Sequence, residues 1–336
     1  KYIGNRYSVA MCNGTAALEV AIKSLGIPDK SEIIVPARSF FSSASCIVNT
    51  GHKPIFADVD LITQNISLND IKKKITKKTK AIICVHLGGM PCDMHGLKKI
   101  ANKNNIKIIE DCSQAHGAKI NGKSVGSFGD VSTWSFCQDK IISTGGEGGM
   151  LTTNSKEIYD FVLSYIDHGK TQESIKRNKS TKGYKWVHDR FGNNFRLTEM
   201  QSQIGIIQLK KISKWIKIRE RNSYILYKKI SGLNLVRCPL PKKNIQHAWY
   251  KFYFYLNTEF ISSKWNRDRI IQEINKKNMP AFHGGCSEIY LENCFRNKGL
   301  GPNKRLNVAK ELGDTSIMLL VHPTIDEENM LIYANI

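Results

Sequence analysis

The chain reads as an α/β protein, with a large domain on a mostly parallel central sheet and a smaller C-terminal α+β domain. Two patterns predict this. Through the first two-thirds, short apolar runs of strand character alternate with segments of helical period, which implies parallel strands covered on both faces. Late in the chain, after a long helical stretch, Trp249 to Leu256 is rich in Tyr and Phe and reads as a strand of a second unit. At 336 residues and 41% hydrophobic content, the chain is long enough to bury a large core and to divide in two.

The elements follow in order. Asn13-Gly14-Thr15 opens a helix that continues from Ala16 to Leu25. Glu32 to Val35, Pro54 to Val59, Ala81 to His86 and Ile106 to Glu110 are strands; Phe41 to Thr50 and Met94 to Asn104 are helices. In such sheets ligands bind beyond the carboxyl ends of the strands, which places Pro36 to Phe40, His86 to Pro91 and Asp111 to Gln114 at a site. Val131 to Phe136 and Met150 to Thr153 read as adjacent strands flanking a turn. Glycine, lysine and polar residues from His168 to Asn193 predict a long loop, and Leu197 to Ile230 predicts one or two long helices. The domains are expected at 1–215 and 216–336. There is no tandem repeat and no low-complexity segment.

Composition narrows the function classes. The formal charge of +21 is spread along a chain rich in Lys, Ile and Asn. Its short basic runs, Lys72 to Lys78 and Lys242-Lys243, lack interleaved aromatics, so a solvated surface is expected and nucleic acid is not. Nine scattered cysteines without CxxC spacing predict small core residues in a reducing compartment, and no His/Cys pattern predicts a metal. No signal peptide and no long uncharged apolar run is present, so the expected location is the cytoplasm. Lys1 is not methionine and a functional helix already opens at Thr15, so an N-terminal piece is expected to be missing.

Lys140 carries the most chemical content. The strand Val131 to Phe136 delivers it to a turn, and Gly145-Gly146-Glu147-Gly148-Gly149 follows, where bare backbone can lie close to a small molecule. Asp111 and Gln114 end another strand, and Asn13-Gly14-Thr15 offers N–H groups at a helix start, a setting that favours an anion. An amine for a Schiff base, a carboxylate for a pyridinium nitrogen and a phosphate cradle are what pyridoxal 5′-phosphate demands of a protein.

Several ordered motifs then carry a family resemblance. They are Asn13-Gly14-Thr15-Ala16-Ala17-Leu18, Pro36-Ala37-Arg38-Ser39-Phe40, His86 to Met94, Glu110 to Ala118, the lysine turn and Gly192-Asn193-Asn194-Phe195-Arg196. From Val9 to about Ile325 the chain resembles the DegT/DnrJ/EryC1/StrS sugar aminotransferases, of the aspartate aminotransferase superfamily and PLP-dependent transferase fold type I. The resemblance implies that Lys140 bonds the cofactor aldehyde and shuttles a proton, that Asp111 pairs with the pyridine nitrogen, and that Gln114 contacts the phenolic oxygen. It assigns Gly14, Thr15 and Ser135 to the phosphate and Phe40 to stacking on the ring. Asn194 would reach the phosphate of a neighbouring subunit, which implies a homodimer with shared active sites; Asn193 stands where the family commonly has an aromatic. Glu147 and His283 are candidate substrate contacts.

The implied reaction moves an amino group from an amino acid, by analogy L-glutamate, to a keto or aldehyde sugar, with pyridoxamine 5′-phosphate as the intermediate cofactor form. Such sugars are usually nucleotide-linked and feed surface polysaccharide, lipopolysaccharide or antibiotic pathways. A dehydratase branch carries histidine where Lys140 stands, so the lysine favours transamination over deoxysugar dehydration. Cys137-Gln138-Asp139-Lys140 and Cys286-Ser287-Glu288-Ile289-Tyr290 also resemble members acting on 8-oxo derivatives of octulosonate. A regulator or binding protein on the same fold has only the basic charge in its favour, and Lys140, Asp111 and Gln114 together argue against it.

Overall fold

A computed structural model of the chain describes residues 2–179 and 182–336; Lys1, and Ser180 and Thr181 of the expected 168–193 loop, lie outside the described residues. Seven strands form the main sheet: β1 (Tyr7–Met11), β2 (Glu32–Pro36), β3 (Lys53–Ala57), β4 (Thr79–Val85), β5 (Lys107–Asp111), β6 (Val131–Ser135) and β7 (Gly149–Thr153). Their spatial order is β1-β7-β6-β5-β4-β2-β3. All run parallel except β7, which is antiparallel to both neighbours. Strands β2 and β4 carry apolar runs, Ile33-Ile34-Val35 and Ile82-Ile83-Cys84, because helices cover both faces, while β6 also buries the polar Ser132, Thr133 and Ser135.

The close fit of β7 between β1 and β6 depends on a glycine. Gly149 lies against the backbone of Asn13, where an added Cβ would stand 2.3 Å from the Asn13 carbonyl oxygen, so only glycine lets the returning chain pair with β1 and β6 at that level. Ser135 then faces Gly149, and Val131 faces Thr153. The chain between them, residues 136–148, projects from the same edge at which the parallel strands end.

Helix α1 (Gly14–Ser24) starts directly after β1, its end fixed by the Asn13 side chain accepting from the Ala16 N–H at 2.8 Å, a cap worth about 1 kcal/mol. A short helix, Gln172–Arg177, forms inside the stretch expected to be a loop, closed by a reciprocal Thr171–Ser174 cap. One continuous helix, Glu199–Ile230, runs through the expected domain limit and leads to the second sheet. That sheet is antiparallel, in the order Val236–Arg237, Phe252–Leu256, Ser316–Leu319, Ala281–Phe282. Its core of Trp249, Phe252, Phe254, Ile317 and Leu319 also takes in Leu226 from the long helix.

Three contacts join the two parts of the chain and close a space between the two sheets. Ile245–Gln246 pairs with Lys119–Ile120. Asp58 accepts from the N–H groups of Val308 and Ala309 at 3.1 and 2.8 Å, capping a helix of the second unit. The buried Arg38 donates to Gln64 on one side and to Ser316 on the other, at 3.1 and 3.0 Å. Among the described residues all nine cysteines are free, and no helix is long and apolar enough to cross a membrane.

Candidate active site

The ends of β1, β2, β5 and β6 and the start of β7 surround a cavity of about 1010 Å³, closed on the far side by Tyr250, Lys251, Tyr253 and the Phe282–Gly285 segment. Gly14, Thr15, Phe40, Asp111, Gln114, Ser135, Lys140 and Glu147 all line it. Parallel strands deliver these side chains to one edge, as expected where such strands terminate.

Each wall has its own chemistry. Asp111 is the last residue of β5 and is 4% exposed; the Ser43 hydroxyl donates to one of its oxygens at 3.0 Å and the Ser113 N–H to the other at 3.1 Å. Gln114 accepts from the Gly88 N–H at 2.7 Å, which fixes the amide and leaves its N–H₂ end free to donate. At the start of α1, the N–H groups of Gly14 and Thr15 precede the first intrahelical bonds and meet no acceptor among the described residues. Gly14 packs against Ser135 so closely that an added Cβ would stand 2.7 Å from the Ser135 Cβ. These donors suit the phosphate of pyridoxal 5′-phosphate at α1, and the Asp111 carboxylate, an acceptor, suits its protonated ring nitrogen.

Lys140 Nζ lies 2.9 Å from Asp139 Oδ1 and 3.3 Å from the Tyr250 hydroxyl. Tyr250 in turn donates to the other Asp139 oxygen, and the Cys137 thiol donates to Oδ1 at 2.9 Å. Partial burial works against the Asp139 charge, but the hydrogen bonds from Cys137, Tyr250 and Lys140 outweigh it and hold this carboxyl below the usual range. Burial, with Asp139 second, pushes the Tyr250 phenol up, so Tyr250 remains a donor. His116 packs beneath the turn against Trp134 and Phe136; burial first, then the charges of Lys140 and Arg219, push its pKa down to about 3 and keep it neutral.

Two expected residues stand apart from the cavity. His283 is exposed, and its neighbours Phe282, Gly284 and Gly285 form the wall instead. Asn194 is exposed and pairs with Asp167, while the next residue, Phe195, enters the cavity because its carbonyl accepts from the Cys12 N–H at 2.8 Å. Phe40 is 65% exposed, so it is a cavity wall and not a core aromatic. The Glu147 carbonyl, accepting from Thr144 and Gln201, shapes the glycine turn while the residue also lines the cavity.

Sequence reasoning missed Asp139, Ser43 and Tyr250. Tyr250 was hidden in an aromatic strand pattern; the strand starts only at Phe252, and Trp249 before it has φ of 48°. His86, Glu110 and Cys112 form a compact buried group of metal-ligand types. Glu110 is already engaged there by the N–H groups of Gly126, Phe128 and Gly129 at 2.8, 2.7 and 2.6 Å and by His86 at 3.2 Å, which is the bonding of a structural carboxylate.

Comparison with known proteins agrees with this geometry. The model of the DegT/DnrJ/EryC1/StrS aminotransferase family matches residues 1–334. An aminotransferase from Psychrobacter cryohalolentis, solved by X-ray crystallography, superposes with a TM-score of 0.96 at 45% identity, covering 99% of this chain and 87% of that one. GDP-perosamine synthase of Escherichia coli O157:H7 is 41% identical over 73% of this chain and 64% of its own length. The UDP-N-acetyl-3-dehydro-alpha-D-glucosamine 3-aminotransferase of Acidithiobacillus ferrooxidans is 35% identical over 76% of this chain and 65% of its own length. Both matches span just under two thirds of these relatives.

Proposed function

The chain belongs to the DegT/DnrJ/EryC1/StrS aminotransferase family, and from that membership we propose that it transfers an amino group from L-glutamate to a nucleotide-linked keto or aldehyde sugar. Pyridoxal 5′-phosphate, the cofactor of this family, supplies when bound an aldehyde for amine exchange and a ring that takes up electrons. The observation that carries the proposal is that Lys140, Asp111 and the open N-terminus of α1 bound one cavity.

The residues divide the work. The N–H groups of Gly14 and Thr15, with the Ser135 hydroxyl, bind the phosphate at the positive end of α1. The Asp111 carboxylate, held by Ser43 and Ser113, orients toward the ring nitrogen and keeps its proton in place. Gln114 donates to the phenolic oxygen, and Phe40 covers one face of the ring. Lys140 Nζ takes the proton from the α carbon of the donor and returns it within the same half-reaction; in the second half-reaction the sugar carbonyl replaces the keto acid. Glu147, on the cavity wall, is placed to read an acceptor sugar.

A second copy of the chain completes the site. Asn194 is exposed and does not line its own cavity, which suits a residue serving a neighbour. Met200, Ile204 and Ile207 form an exposed apolar stripe on the same face of the long helix, which suits a homodimer contact. The nucleotide prefixes in the names of the two relatives support a nucleotide-linked acceptor, and we place the reaction in surface polysaccharide or lipopolysaccharide synthesis in the cytoplasm. The domain limits that fit this division are 1–215 for cofactor binding and 216–336 for the smaller unit.

The test is a two-stage assay. Glutamate added to the loaded protein should yield 2-oxoglutarate and pyridoxamine 5′-phosphate, and a panel of nucleotide-linked keto sugars should then restore the original spectrum. Glutamate consumption without 2-oxoglutarate, or a dehydrated sugar product, would defeat the proposal.

A further inference from the structure

We propose that Asp139, locked in place by Tyr250, is a positioning residue that holds the ammonium form of Lys140 in the cavity and so favours proton transfer to Nζ. This rests on the reading of Lys140 as the amine that engages the cofactor.

The geometry converges on one carboxylate. Asp139 Oδ1 accepts from Lys140 at 2.9 Å and from Cys137 at 2.9 Å, and Oδ2 accepts from Tyr250. Tyr250 belongs to the second unit in sequence but is 6% exposed in the core beneath the lysine turn, beside Trp134 and Phe136. Its backbone is held there at some cost. Trp249 takes φ of 48°, rare for a bulky side chain. Buried and neutral His247 accepts from the Trp249 N–H at 2.7 Å and stacks on its ring at 4.1 Å. Arg219 donates to the carbonyls of Trp249 and Tyr250 at 3.3 and 3.1 Å. Strained backbone with this many restraints indicates that the position of Tyr250 matters.

Charge explains what the pair does. Lys140 shares its surroundings with two further cations, Lys251 and Arg219, and with neutral His116. Asp111 and Glu147 line the same cavity, but neither is hydrogen-bonded to Lys140, whose partners are Asp139 and Tyr250. Asp139 is therefore the carboxylate that offsets the cation cluster when Nζ takes a proton. The step balances simply: the proton passes from the α carbon to the Nζ lone pair, the bond pair stays with the cofactor-bound donor, and the new ammonium is met by Asp139.

The test reads the ion pair without the cofactor. Protein stripped of cofactor is pulsed with acetic anhydride at one pH, and acetylation of Lys140 is measured by peptide mass spectrometry against the other lysines as internal standards. Asp139→Asn should acetylate at Lys140 about tenfold faster, since the variant removes the charge-assisted hydrogen bond at 2.9 Å that engages Nζ. Tyr250→Phe should show a smaller increase, and Asp139→Glu should stay near the original rate. In the loaded protein, Asp139→Asn should slow the glutamate half-reaction about tenfold while the glutamate concentration at half-saturation holds. Unchanged Lys140 acetylation in both Asp139→Asn and Tyr250→Phe, with normal uptake of pyridoxal 5′-phosphate, would overturn this inference alone. Failure of the unaltered protein to take up the cofactor would overturn the proposed function and this inference with it.

Discussion

Gly14 and Ser135 touch across the head of the cavity: a methyl group on Gly14 would stand 2.7 Å from Ser135 Cβ and 3.2 Å from its Oγ. The first turn of α1 and the last residue of β6 are thereby pressed into one surface, with backbone donors on one side and a hydroxyl on the other. Gly14→Ala should push these walls apart and weaken cofactor binding by roughly 10- to 100-fold, the scale of an overpacking cost of about 1–3 kcal/mol. Equilibrium titration with pyridoxal 5′-phosphate measures it, and adding Ser135→Gly in the same chain should recover part of the loss.

In the proposed function Asp111 pairs with the ring nitrogen. Asp111→Asn should lower the rate of the glutamate half-reaction by roughly 10²–10³, the range for loss of one preorganised electrostatic partner, with cofactor still bound. Single-turnover absorbance kinetics separate the two effects. Ser43→Ala, which removes one of the hydrogen bonds orienting Asp111, should give a smaller loss in the same direction.

Glu110, next to Asp111, has a structural task. Burial penalises its charge, but His86 and the N–H groups of Gly129 and Gly126 outweigh that and lower its pKa in the folded chain. A lowered folded pKa means that its stabilisation is present above the unfolded carboxyl value of about 4.3 and is lost as pH falls through the folded value. Glu110→Gln should cost about 3 kcal/mol near neutral pH, as expected for breaking a buried, multiply bonded charge. Urea denaturation followed across pH 3–7 should show the gap between variant and original protein narrowing toward the acid end.

The proposed sharing of active sites between two chains predicts complementation. Lys140→Ala and Asn194→Ala chains, each impaired alone, should recover activity when unfolded and refolded together, because a mixed dimer pairs an intact Lys140 with an intact Asn194. Random 1:1 mixing should leave about a quarter of the sites complete. No gain above the sum of the two separate preparations would remove Asn194 from the site.

Much of this architecture is legible in the sequence because apolar runs and glycine turns are local. Ile33 to Val35, Ile82 to Cys84 and Ile108-Ile109 identify parallel strands by composition, and Asp111, Ser135 and Lys140 follow from standing at strand ends. The return of β7 beside β6 is legible as two strands flanking a turn, but its pairing with β1 is not, since that depends on Gly149 fitting against Asn13, far away in sequence. Tyr250 was hidden for the same reason: its partner Asp139 lies 111 positions earlier, and nothing periodic in Trp249 to Leu256 marks one tyrosine as facing a lysine. His283 was singled out by motif, but the glycines beside it turn the backbone so that they, and not the imidazole, line the cavity.

The central claim is that Lys140 is the amine that bonds the cofactor. Borohydride reduction of the protein loaded with pyridoxal 5′-phosphate, followed by proteolysis and mass spectrometry, should place one pyridoxyl group on the peptide containing Lys140 and none on that peptide in Lys140→Ala. Stable labelling of a different lysine, or undiminished labelling and turnover in the Lys140→Ala protein, would contradict it.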